Sequence, residues 1–94
     1  MTSAERGALS RIQKLVEDGD VYLTPHFLER IEQRGMFLYD AYAAIEEATA
    51  ARSDGLDSDG CERWFVVGPT LAGDDVEILI AIDRLAKFVI IYWV

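Results

Sequence analysis

The chain has 94 residues, of which 51% are apolar and 11% aromatic, and a net charge of −8 at pH 7. That length suits one domain with a modest core, and the composition excludes a disordered or fibrous chain. A single cysteine, Cys61, excludes a disulfide framework or a cysteine-based zinc site, and no apolar run approaches the roughly 18 residues of a spanning helix.

The opening "MTSAERGALS" lacks the apolar segment of a signal peptide, so the expectation is a cytoplasmic protein with no membrane association. Residues 1–20 read as a first helix. Thr2 and Glu5 have the spacing of a capping box, Leu9, Ile12, Leu15 and Val16 mark one face, and Gly19 ends it. "VYL" is a short extended link with the character of an edge strand. A second helix starts sharply, with Thr24 as N-cap and Pro25 at the first helical position, and stops at Gly35. "MFLYDAYAAIEEATAARS" supplies a third helix that buries Leu38, Ala41, Tyr42, Ile45 and Ala48, and "SDGLDSDG" reads as a polar loop.

After Gly60 the period changes. "CERWFVVG", "VEILIAID" and "KFVIIYWV" are rich in β-branched and aromatic residues and read as three strands joined by hairpins. Alternation places Trp64 and Val66 opposite Arg63 and Phe65, and Tyr92 opposite Trp93. Both faces of the last strand are apolar, which predicts a central strand, or one covered by the first helix or by a second copy in a homodimer. Helices first and strands after give a single α+β domain spanning 1–94. About three helices pack on one face of a three- to four-stranded antiparallel sheet.

The second helix carries the chemistry. His26, the only histidine, is followed at intervals of four by Arg30 and Arg34. At roughly 100° per residue the three form a slanted stripe along the border of the apolar face, near Phe27 and Ile31. The first turn offers free N–H groups and the positive end of the helix dipole. A phosphate there would meet an imidazole and the planar fork of an arginine, which suits phosphoryl transfer by a base and a cation. The structural alternative is ordinary: border arginines cover apolar surface with their stems and pair with Glu29 or Glu32.

"HFLERIEQRGM", followed by a helix, a polar loop, "RWFVVGPT" and two aliphatic strands, resembles a small bacterial family of unknown function. That family's pattern is His-x-x-x-Arg-x-x-x-Arg-Gly-hydrophobic, and it is grouped with the barnase–colicin–RelE-like ribonuclease toxins. The resemblance covers residues 21–94 and leaves the first helix as an addition. It implies helices followed by an antiparallel sheet, His26 as acid or base, Arg30 and Arg34 as phosphate ligands, and Tyr92 on the last strand completing the site. It also implies RNA as substrate, a cognate antitoxin as partner, and 2′-hydroxyl attack that needs no cofactor.

The strong acidity points elsewhere. Phosphate neutralisation supplies most non-specific affinity for nucleic acid, and this chain repels a polyanion at long range. It instead fits a catalytically inactive member of the same fold, acting as an acidic protein-binding module of a regulatory or immunity type. Arg63 reads as solvent-facing and incidental, Trp64 and Trp93 as core, and Cys61 as an unactivated thiol. Asp54, Asp57 and Asp59 read as a solvated loop lacking the register of a calcium site.

Overall fold

The structure is a computed structural model describing residues 1–94. In chain order it contains α1 (Ser3–Glu17), β1 (Val21–Leu23), α2 (Pro25–Gln33), α3 (Leu38–Glu46), β2 (Ala50–Leu56), β3 (Glu62–Pro69), β4 (Asp75–Ile82) and β5 (Val89–Trp93). It is α+β, with three helices and a sheet of five strands in the order β1-β5-β4-β3-β2.

Two expectations about the sheet are corrected. The sheet is mixed, because β1 runs parallel to β5 while the remaining pairs are antiparallel. It also gains β2 from residues read as helix end and loop. "AARSDGL" has no β-branched residue, but pairing with β3 (Ala51 opposite Val66, Arg52 opposite Phe65) overrides its weak local preference. The register breaks between Ser53 and Leu56, where Gly55 takes a φ of 76°.

The helix boundaries follow local chemistry. Thr2 and Glu5 exchange hydrogen bonds at the start of α1, 2.6 and 3.1 Å long. At the end of α2, Gly35 N–H donates to the Glu32 carbonyl and Met36 N–H to the Ile31 carbonyl, the double bond pattern that a left-handed glycine permits. Gln13 of α1 donates to the carbonyls of Ile45 and Glu46, tying α1 to the C-terminal turn of α3.

All three helices contribute to one apolar core. Ala8, Leu9 and Ile12 of α1, Phe27 and Ile31 of α2, and Ala41, Ala44 and Ile45 of α3 meet Trp64, Val66, Ile78, Ile80, Ile82, Val89 and Ile91 of the sheet. No charged or polar side chain is buried there. Gly68 explains how closely α3 sits on β3, since a Cβ at that position would lie 1.9 Å from the Ala44 carbonyl oxygen. Strand β5 lies inside the sheet and is paired on both sides, so it offers no free edge to a second copy. No helix is long and apolar enough to cross a membrane.

Candidate functional site on the open sheet face

The helices cover one face of the sheet and leave the other open. Residues alternating with the core positions reach this second face: Arg63 and Phe65 of β3, and Glu77 and Leu79 of β4. Together with His26 and Tyr92 they line a groove of about 1150 Å³.

His26 owes its place to the cap of α2. The Thr24 hydroxyl accepts from the Phe27 N–H (3.1 Å) and donates to the Ile91 carbonyl (3.0 Å), while the Thr24 N–H bonds the same carbonyl (3.2 Å). These bonds fix the first turn of α2 against the end of β5. His26, the second residue of the helix, is thus held exposed at the margin of the groove.

Tyr92 arrives by a different device. Leu79 pairs with Trp93, but its neighbour Ile80 pairs with Ile91, so Tyr92 is an extra residue in β5. This bulge overturns the simple alternation, and Tyr92 and its neighbour Trp93 both line the groove. The Tyr92 hydroxyl donates to Asp57 Oδ2 at 3.3 Å. Asp57 Oδ1 accepts from the backbone N–H groups of Asp59 and Cys61, each at 2.9 Å, which folds the β2–β3 loop over one end of the groove.

The electrostatics of this corner are set by that carboxylate. The Cys61 N–H holds the Asp57 carboxyl below its ordinary range, against the opposing effect of burial, with help from the Asp59 N–H, the Tyr92 hydroxyl and Arg63. The Tyr92 phenol is pushed up, first by burial and then by the charge of Asp57. Cys61 is buried, and burial and then Asp57 push its thiol up as well, so it is not an activated nucleophile.

The two helix arginines go elsewhere. Arg30 is half-buried, and its Nε and Nη2 both donate to the Val94 carbonyl, at 3.3 and 3.2 Å. Its guanidinium lies over the Trp93 ring, 5.1 Å from the centroid. Arg34 is the C-cap of α2 and lines a separate pocket of about 420 Å³ with Asp40, Asp74 and Asp75. The structure therefore brings His26 and Tyr92 to one groove and leaves Arg30 and Arg34 outside it. Trp93 borders both pockets.

Arg63, which alternation sets on the face opposite Trp64 and which reads as incidental, is the cation that does reach the groove. Arg63 is half-buried and ion-paired with Asp54, and its Nε is buried with no hydrogen-bond partner. Alternation along "ERWFVVG" was the available signal, since it puts Arg63 and Phe65 on the face away from Trp64. Arg52 sits beside them, over the Phe65 ring at 4.2 Å and ion-paired with Glu77 at 3.2 Å. The groove thus presents one imidazole, aromatic rings and the carboxylates of Asp57, Asp59 and Glu77, with its arginines already partnered inside the chain. No cluster of three or more histidine, cysteine, aspartate or glutamate side chains is arranged to hold a metal ion. Comparison with protein-family models, with curated proteins and with solved structures finds no match to this chain.

Proposed function

We propose that the protein is a binding module, a non-cutting relative of the toxin-like proteins its sequence resembles, and that it engages a protein partner along the open sheet face. The observation that carries this reading is the commitment of Arg30 to the Val94 carbonyl and the Trp93 ring. Phosphoryl transfer needs a cation free to meet charge building on phosphate oxygens, and this arginine is spent on holding Val94 and Trp93. The arginine that does line the groove, Arg63, is neutralised by Asp54. Asp57 and Asp59 in the groove, and a net charge of −8 for the chain, oppose the approach of a polyanion.

A ribonuclease remains the second reading, favoured by His26 and Tyr92 sharing one groove. In that reading His26 takes the proton from a 2′-hydroxyl as its oxygen bonds to phosphorus, the P–O5′ bond breaks with water protonating the leaving oxygen, and the Tyr92 O–H turns from Asp57 to the phosphate. RNA would be the substrate and a neutralising antitoxin the partner. The two readings separate in one experiment, in which purified protein is incubated with RNA at low salt and growth is followed on induced expression. The binding module leaves RNA intact and growth unchanged. Cleavage by the wild type that falls by about two to four orders of magnitude in His26→Ala would establish the enzyme instead.

A further inference from the structure

Resting on the protein-binding reading, we infer that the groove takes a cationic segment of the partner, an extended stretch carrying lysine or arginine over the Phe65–Trp93 floor. The size comes first. At about 1150 Å³ the groove exceeds the roughly 300–1,000 Å³ typical of small-molecule pockets, and it lies across an uncovered sheet face. That is room for a run of residues.

The chemistry of the lining then selects the sign of the charge. Two rings bordering the groove already host cations from within the chain, Arg52 over Phe65 at 4.2 Å and Arg30 over Trp93 at 5.1 Å. Aromatic faces and carboxylates together are the surroundings that favour an ammonium or guanidinium. Asp57 stays ionised because backbone N–H groups and the Tyr92 hydroxyl bond its oxygens, and the exposed carboxylate of Asp59 stands beside it. Arg63 is the groove's one arginine and its ion-pair partner is Asp54, so neither Asp57 nor Asp59 is ion-paired, although the charge of Arg63 also acts on Asp57. A second copy of the chain is a poor occupant, because it would set one net charge of −8 against another.

The test uses the full chain and a synthetic peptide alternating lysine with valine, with a glutamate–valine peptide and a single-stranded RNA as comparison ligands. Binding is followed by calorimetry and by tryptophan fluorescence, where Trp93 in the groove reports and Trp64, 6% exposed beneath the helices, does not. The lysine peptide should bind and shift the fluorescence, and should weaken when salt is raised. Asp59→Asn with Glu77→Gln should weaken it roughly fourfold to twentyfold, since Asp59 is one exposed ion-pair partner for the peptide and the loss of Glu77 frees Arg52 to oppose a cation. Both positions lie outside the core, so the variant should keep the wild-type circular dichroism.

Absence of lysine-peptide binding at low salt, or binding that ignores the double variant, overturns the inference. If the glutamate peptide binds the groove as well or better, the protein-binding reading stands and the choice of a cationic occupant falls. Should RNA take the groove and displace the peptide, both fall together.

Discussion

The same strands present two different faces, and the contrast between them organises the molecule. On the helix side, Val66, Ile78, Ile80, Val89 and Ile91 are sealed and aliphatic, and they meet apolar side chains from all three helices. On the open side, one residue away along each strand, lie Arg63, Phe65, Glu77, Leu79 and Tyr92, partly exposed and linked by ion pairs and a ring-stacked arginine. The first face is what a chain of this size needs in order to fold. The second carries charge and aromatic area that folding alone does not require, and this is why the proposed partner is placed there.

Truncating one ring on each face gives the largest test of this contrast. Phe27 is fully buried, and Phe27→Ala should lower unfolding free energy by about 3–5 kcal/mol in denaturant titrations. Phe65→Ala, on the open face, should cost about 1 kcal/mol and spare the fold, because water already reaches that ring. Equal losses would mean that the open face is a second core, and the division drawn above would collapse.

Gly68→Ala probes the tightest contact on the covered side. A methyl group there meets the Ala44 backbone, which has no flexible end to move aside, so α3 must lift from β3. The expected loss is about 3 kcal/mol, visible as a lower midpoint with unchanged slope. A neutral result would show that α3 rests loosely on the sheet.

The two faces were also unequally legible. The covered side could be read from the chain because each contribution is local and periodic: caps at Thr2 and Thr24, glycine stops at Gly19 and Gly35, and alternation that sends Trp64 and Val66 inward. Strand β2 escaped that reading, since nothing in "AARSDGL" favours a strand until β3 lies alongside it. On the open side His26 was legible through its Thr-Pro cap. The destinations of Arg30 and of Trp93, read as core, were not. Arg30 meets the Val94 carbonyl across 64 positions of sequence, and a bulge in β5 redirects the residues at Tyr92 and Trp93. Both depend on long-range register, which residue spacing does not encode.

Arg30 therefore sharpens the comparison, because its stripe belongs to the site in sequence and to the scaffold in space. Arg30→Ala should cost about 1–2 kcal/mol by removing the paired bonds to Val94 and the contact with Trp93. Arg30→Lys should recover only part of this, since an ammonium cannot reproduce the planar fork. Unchanged stability joined to a loss of RNA cleavage would return Arg30 to a catalytic role.

The smallest expected effect lies in the hydrogen bond between Tyr92 and Asp57, and there the sign with pH is decisive. Burial and then the Asp57 charge raise the Tyr92 phenol in the folded state. A group raised on folding contributes its full stability below its unfolded pKa, near 10 for tyrosine, and loses it as pH climbs through the folded value. Asp57 behaves oppositely. The Cys61 N–H and its other partners lower it, so its contribution is complete above the unfolded value of about 3.9 and fades as pH falls through the folded one. Stability should thus decline at both extremes through one contact on the open face. Tyr92→Phe removes the phenol's share of the alkaline decline, leaving that of the raised Cys61 thiol, and softens the acid one, because Asp57 keeps its two backbone donors. An alkaline limb of unchanged size in Tyr92→Phe would show that the phenol contributes none of it, and this corner of the open face would then be packing like any other.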